Sequence, residues 1–367
     1  MRLALVYDRV NKIGGAERVL TTLHKIWPEA PLFTSVYNPK TTPWVRDFKI
    51  IPSFLQKIPG AKSRHEWLLP LMPRVFESFD FRKFDVVISI TSAEAKGIIT
   101  PPSTLHICYC LTPTRYLWSG RKDYEGELGR LGKSGMAFWG PVLRQWDFVA
   151  SRRPDIFWAI SKTVQARIRK YYRRESEVIY PPATKLPANN QQSAISNQQF
   201  YLIVSRLVPY KRIDLAVRAF NKLGKNLIII GQGMEKQNLT KIAKKNVKFI
   251  DRLTDKQLAG YYMSCRALVF PGEEDFGLVG LEAQSFGKSV IGFKKGGLEE
   301  TVIHGKTGWL FKKQTTNSLI QAIKEFEKRK FSVKACQTRA SKFTERTFIK
   351  KFKNKAEAAW QKHKKNI

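Results

Sequence analysis

Negative charge is scarce in this chain. It carries 30 Asp and Glu against 65 Lys and Arg over 367 residues, a net charge of +35 at neutral pH. Such an imbalance disfavours cationic partners and points to anions: nucleic acid, acidic lipid or phosphorylated substrates. The excess is dense near the end, where residues 312–367 hold 17 Lys and Arg against 4 Asp and Glu. A solvated helix face accounts for that run as readily as an anionic surface does. Long apolar runs are also missing, since none reaches the roughly 18–20 residues that span a bilayer. The opening Met-Arg-Leu-Ala-Leu-Val-Tyr-Asp is too short an apolar run for a secretory leader and meets an acid at Asp8. A cytoplasmic location is therefore expected. Cysteine is sparse, with four in all. Cys108 and Cys110 fall two apart on a strand-like segment and so share a face, while Cys265 and Cys336 stand alone. Buried, reduced thiols are expected, and no metal-ligand spacing is visible.

What is present is an alternation of short apolar strands with helical stretches, first over residues 3–180 and again over 200–293. Strands are expected at 3–7, 32–36, 85–90, 105–109, 155–160 and 177–180, with helices at 16–26 and 162–172. The second series has strands at 200–204, 226–230, 247–250, 267–270 and 289–293, with helices at 213–223, 255–263 and 278–286. That pattern predicts parallel sheets covered by helices on both faces. Between the series, 184–199 is rich in Asn, Gln, Ser, Ala and Pro, a linker composition. The expected organisation is an N-terminal domain over 1–184, a linker over 185–199, a C-terminal domain over 200–345, and a basic helix over 346–367 that packs back on the first domain. Two such domains, facing across a cleft, would place ligands at the carboxyl ends of their strands.

Chemistry-bearing residues recur at those strand exits. Gly14 and Gly15 stand between the first strand and first helix, where glycine lets backbone amides approach an anion at a helix start. Arg206 and Lys211 follow the strand at 200–204. The arginine forks two oxygens and the lysine acts as a point charge, which suits a diphosphate and could replace a divalent metal. Glu274 lies in the loop after 267–270, and Glu282 stands eight residues on, about 12 Å along a helix. Two carboxylates so spaced can each accept hydrogen bonds from neighbouring hydroxyls. Phe276, Gly277 and Leu278 lie between them, at a helix start whose dipole favours phosphate. Gly231 and Gly233 mark another exit, and Gly296 with Gly297, Glu299 and Glu300 a further one.

These residues together resemble glycosyltransferase family 4, a large retaining group with the GT-B fold of two Rossmann-like domains. The family's glutamate, seven residues, glutamate motif matches Glu274 through Glu282, its Arg and Lys pair matches Arg206 and Lys211, and its Gly-Gly-Ala-Glu and Gly-Gly-x-x-Glu motifs match residues 14–17 and 296–300. Residues 109–118, Tyr-Cys-Leu-Thr-Pro-Thr-Arg-Tyr-Leu-Trp, and 270–277, Phe-Pro-Gly-Glu-Glu-Asp-Phe-Gly, are similar to a mannosyltransferase-like branch. The resemblance implies a hexosyltransferase without a metal or other cofactor, using a nucleotide-sugar donor, with GDP-mannose favoured. It implies that Glu282 holds the ribose, Glu274 the sugar hydroxyls, Arg206 and Lys211 the diphosphate, and Gly15 the phosphates. It places Gly14, Gly231, Gly233, Phe276, Gly277 and Leu278 around the donor as well. The chain departs from the family where many members carry a histidine near the sugar. Leu111 stands there, and Arg115 or Tyr116 is expected to supply a polar contact on the acceptor or sugar side; His106, at the other end of its strand, is a poorer substitute.

Three other readings compete. An inverting enzyme would need a base in the first half, with Asp8 and Glu94 available. A polyanion-binding or nucleic-acid-binding protein would account for the charge, although no interleaved basic and aromatic recognition motif appears. A degenerate nucleotide-sugar binder would account for Leu111. The expected acceptor is a glycan or a lipid-linked diphosphate. An anionic membrane surface is an expected partner, approached through residues 54–59 and 67–74 and through basic helices around 167–174 and 350–365.

Overall fold

The computed structural model describes residues 1–62, 65–121, 124, 129–184, 186–187 and 199–367. The chain divides into two compact units, Met1–Pro181 with Arg346–Ile367, and Pro182–Glu345. Most of the segment expected as linker, 185–199, lies outside the described residues. The second unit takes up the chain before position 184, because the Ala183 amide donates to the Phe343 carbonyl at 2.7 Å.

The first unit holds β1 (Leu3–Tyr7), β2 (Leu32–Thr34), β3 (Ile50–Pro52), β4 (Val86–Thr91), β5 (Leu105–Cys110), β6 (Ile156–Ala159) and β7 (Glu177–Val178). They form one parallel sheet in the order β3-β2-β1-β4-β5-β6-β7. β1, β4 and β5 are buried along their whole length, as continuous apolar runs must be when helices cover both faces. Those helices include α1 (Gly15–Ile26), α2 (Met72–Glu77), α3 (Arg130–Ala150) and α4 (Lys162–Tyr172). Ala4, Val6, Phe33, Val75, Phe76 and Val87 belong to one core of this unit.

The second unit holds β8 (Tyr201–Val204), β9 (Leu227–Ile230), β10 (Val247–Ile250), β11 (Ala267–Phe270), β12 (Val290–Phe293) and β13 (Gly308–Phe311). Their order is β10-β9-β8-β11-β12-β13, again parallel. Its helices are α5 (Ile213–Leu223), α6 (Lys236–Ile242), α7 (Asp255–Ser264), α8 (Leu278–Ser285), α9 (Leu298–Thr301), α10 (Thr316–Glu327) and α11 (Val333–Ala340). Thr254 caps α7 with a full capping box closed by Gln257, which satisfies two amides that the helix cannot bond itself. One core of the unit lies between the sheet and α5 and α10, with Ile203, Phe220, Ile229, Val269, Ile291 and Ile323.

The last helix, α12 (Glu345–Lys364), returns to the first unit. Phe348, Phe352 and Ala356 are its buried residues, four apart and so on one helical face. Phe352 meets the rings of Tyr109 (5.2 Å) and Trp158 (4.9 Å). All four cysteines are free and buried.

Candidate active site

In each sheet the chain winds outward from its first strand and then returns to that strand's other side. Ligands of such sheets bind at the carboxyl ends where the order reverses. In the second unit the reversal lies between β8 and β11, and the loops leaving those two strands carry Arg206, Lys211 and Glu274. A small crevice lined by Ser205, Lys211, Phe270, Pro271 and Gly272 opens there.

The two loops touch through their backbones. A Cβ on Gly272 would come within 2.7 Å of the Lys211 carbonyl oxygen, so only glycine lets them close together. Lys211 is 9% exposed, and its ammonium pairs with the Glu274 carboxylate. A short 3₁₀ turn, Pro209–Lys211, delivers the lysine. Arg212 then sits in the left-handed region at φ 52°, a sparsely populated conformation for a residue with a side chain, and turns the chain into α5. Arg206 is exposed and donates to the Tyr210 hydroxyl at 2.5 Å. The Tyr210 ring also lies 6.0 Å from the Arg206 guanidinium and 5.1 Å from the Lys211 ammonium. Arg206, Tyr210, Lys211 and Glu274 therefore form one connected group. Tyr210 was not anticipated; its place between the two cations was the available signal.

Glu274 is held from the other side by the exit of β12. The Gly297 amide donates to the Glu274 carbonyl at 2.8 Å, and Gly296, at φ 77°, would clash with that same carbonyl if it carried a Cβ. The Gly296–Gly297 pair thus permits close backbone packing that sets the Glu274 loop. Gly277 caps α8, and Glu282 lies within that helix, buried, accepting a hydrogen bond from the Tyr262 hydroxyl at 3.0 Å. The Phe276 side chain is buried against Phe343, ring centroids 5.7 Å apart. Leu278 is half-buried. Gly231 and Gly233 have a steric cause of their own: a Cβ would fall 1.9 Å from the Ser205 carbonyl oxygen and 2.2 Å from that of Leu207. They let the β9 exit pack against the loop that bears Arg206.

A larger hollow of about 310 Å³ in this unit is lined by Lys306, Lys334, Arg339 and Lys342 among others, and contains none of the residues predicted from sequence. Among the described residues no three His, Cys, Asp or Glu side chains gather as a metal-binding group.

The first unit places its predicted residues separately. Gly14 is the N-cap of α1 and Gly15 its first residue. Glu17, from the same motif, is buried and accepts from the Tyr7 hydroxyl at 2.6 Å. At the reversal between β1 and β4 lies a buried network. Asp8 accepts from the Thr91 hydroxyl and from the Ser92 and Ala95 amides at 2.7–2.8 Å. Glu94 pairs with Arg9 and accepts from the Tyr116 hydroxyl. Burial raises the Asp8 carboxyl, with Glu94 adding to it. Burial also pushes Glu94 upward, but Arg9 and the Tyr116 hydroxyl outweigh it and leave Glu94 lowered. A carboxylate pinned by three donors and one lowered by an arginine are both poorly set up as general bases. Tyr116 is committed to Glu94, and Arg115 is half-exposed beside it. Leu111 is buried at the exit of β5. His106 is fully buried, bonded through Nε2 to the Ser89 hydroxyl at 2.8 Å, so it offers nothing to a sugar. Behind this network Lys96, also buried, pairs with Asp147 and donates to the Ala93 carbonyl and the Thr114 hydroxyl.

Residues 187–343 match the family model described as glycosyl transferases group 1. This segment is therefore similar to the domain of group 1 glycosyltransferases. An uncharacterised glycosyltransferase from Methanocaldococcus jannaschii is 28% identical over 181 residues, 48% of this chain and 50% of that protein. The alpha-1,3/1,6-mannosyltransferase ALG2 of Dictyostelium discoideum is 28% identical over 144 residues, 32% of this chain and 34% of that one. The chain thus spans half or less of the length of these curated relatives. Anabaena HepE, solved with UDP, superimposes with a TM-score of 0.72 over 98% of this chain and all of its own, at 19% identity. The architecture is that of GT-B glycosyltransferases, with two Rossmann-like units.

Proposed function

We propose that this chain is a retaining, metal-independent glycosyltransferase that moves a hexose, mannose favoured, from a nucleotide-sugar donor to a glycan or lipid-linked acceptor. The observation that carries the proposal is the joined group of Arg206, Lys211 and Glu274 at the reversal of the second sheet. Two cations and a carboxylate meet there, where a sugar diphosphate needs charge neutralised on one side and hydroxyls oriented on the other. In transfer, the bond between the anomeric carbon and the phosphate oxygen breaks, and a new bond to the acceptor oxygen forms on the same face. The acceptor proton passes to the departing phosphate. Arg206 and Lys211 stabilise the negative charge that develops on the diphosphate, the task a metal performs elsewhere. Glu274 accepts from the sugar hydroxyls and Glu282 from the ribose.

GDP-mannose is favoured by the likeness of residues 109–118 and 270–277 to a mannosyltransferase branch and by the similarity to ALG2. The UDP in HepE makes UDP-sugars the alternative to be tested. We further propose action at the cytoplasmic face of a membrane. Phe54, Ile58 and Trp67 are exposed apolar residues of the segments expected to meet lipid, Trp67 at 73%, whereas Met72 of the same stretch is core. Among the described residues no helix is long and apolar enough to cross a membrane.

The test is a thermal-shift screen of GDP- and UDP-sugars, since a native-state ligand raises apparent stability. It is followed by transfer assays on Glu274→Ala with and without EDTA. The variant should lose transfer yet still bind nucleotide, and wild-type activity should survive chelation. Stabilisation by no nucleotide sugar, together with salt-sensitive DNA binding, would replace the proposal with a polyanion-binding function.

A further inference from the structure

Glu282 is buried in the second unit, on a helix where its immediate neighbours Leu281 and Ala283 are apolar and buried. A carboxylate on a two-carbon stem can turn, and a turned carboxylate meets a pair of hydroxyls badly. Something must hold it. The neighbouring helix α7 supplies Tyr262, whose side chain is fully buried. Its hydroxyl donates to Glu282 Oε2 at 3.0 Å. The ring itself cannot swing, because it stacks on Phe286 with centroids 5.7 Å apart and planes 9° from parallel. It also belongs to a packed core with Phe270, Ala283 and Val290. The phenol is thus a fixed donor aimed at one oxygen of a buried ion, the kind of hydrogen bond that is strong.

We propose that Tyr262 is a positioning residue for the donor. By fixing Oε2 of Glu282 it sets the direction in which the carboxylate meets the 2′- and 3′-hydroxyls of the ribose. The proposal rests on the reading of Glu282 as the ribose contact. A site whose polar groups are held in place before the ligand arrives loses less freedom on binding, so Tyr262 acts on donor affinity and leaves the transfer step alone.

The test compares a ribonucleoside diphosphate with its 2′,3′-dideoxy counterpart, using whichever of GDP and UDP the wild type binds more tightly. Tyr262→Phe keeps the ring against Phe286 and removes only the hydroxyl. Its affinity for the ribonucleotide should fall roughly three- to tenfold, part of the tenfold or more that a hydrogen bond to a charged group represents. Affinity for the dideoxynucleotide should stay within about twofold on the same reasoning, KM for the donor should rise, and kcat should hold. In a Glu282→Ala background the same substitution should change neither affinity. An equal loss for both nucleotides, or no loss for either, overturns the role of Tyr262. If Glu282→Ala itself leaves the preference for the ribonucleotide intact, the ribose reading falls and this proposal with it. If Glu282→Ala removes that preference but Tyr262→Phe keeps it, only Tyr262 is excluded. Tyr262→Met, with a flexible apolar side chain that adapts to a core gap, serves the same comparison should the phenylalanine variant fail to fold.

Discussion

Lys211 offers the sharpest test of the diphosphate assignment, because its ammonium already pairs with Glu274 in the fold. The two side chains of that pair are 11% and 20% exposed, too enclosed to count as a surface ion pair of negligible worth. At 4 Å and an effective dielectric of 20 a unit pair interacts by about 4 kcal/mol, which is a ceiling. A diphosphate oxygen brought to the same ammonium makes a charge-assisted bond of about 1.5–3 kcal/mol net. Lys211→Met should therefore weaken nucleoside diphosphate binding by roughly 10- to 150-fold and leave nucleoside binding unchanged. Glu274→Gln should act with the opposite sign on binding. It removes an anion that competes for the ammonium and repels the phosphates, so affinity should hold or tighten by up to about tenfold, while transfer is lost. Titration calorimetry with nucleoside, monophosphate and diphosphate separates these effects. A Lys211→Met variant that binds the diphosphate within about twofold of wild type would show that the lysine serves only to hold Glu274.

Other consequences concern the first unit and its surface. Lys96→Met should cost about 3–5 kcal/mol, because it leaves the Asp147 carboxylate buried without its cation; urea unfolding measures this, and a loss below about 1 kcal/mol contradicts the reading. His106 is pushed down to about 3 by burial, with Arg153 and Arg174 adding to the effect. In the unfolded chain it takes up a proton near pH 6.5. Its contribution is therefore complete above that pH and is lost as pH falls toward 3, at about 1.4 kcal/mol per pH unit. His106→Gln should flatten the acid limb of the stability curve, and an unchanged limb refutes the assignment. Co-sedimentation with anionic vesicles should succeed and weaken with salt, and protein that stays in the supernatant with both anionic and neutral vesicles excludes a lipid surface.

The fold was readable where apolar runs are unbroken. β1, β4, β5, β8, β9 and β11 are wholly or mostly buried, and burial on both faces leaves a continuous apolar signature. β3 and β13 escaped that signature. β3 is three half-buried residues, and β13 opens on glycine. The long helix α3 escaped too, because Gly132, Gly135, Gly140 and Pro141 interrupt its pattern, and Gly and Pro weigh against a helical interior. At the site, the carboxylates and cations announce themselves by spacing. Tyr262 does not, since a tyrosine within a helix reads as core until its hydroxyl is seen to meet a carboxylate. Gly231 and Gly233, expected around the donor, also have a packing cause that only the structure shows, since a Cβ on either would strike a backbone carbonyl.

The charge is the strongest feature of the composition and the least specific. Several cations expected at a lipid surface have work inside the fold. Arg174 donates to the carbonyls of Ser151 and Pro154 and lies over the Phe157 ring. Arg167 donates to the Thr112 hydroxyl. Lys351 and Lys355 of α12 donate to the Val178 carbonyl and to Glu177, and so tie that helix to β7. Those side chains are held by the protein and are less available to headgroups. A lipid-facing reading then depends more on apolar side chains than on the count of lysines. The first unit has such side chains, including Phe138 and Trp139 on α3, 71% and 41% exposed with their rings in edge contact at 5.2 Å. Aromatic residues that enter the interface add binding that salt does not screen, whereas cations alone give binding that salt abolishes. The part of vesicle binding that survives high salt thus reports on the aromatics, and the part that is lost reports on the charge.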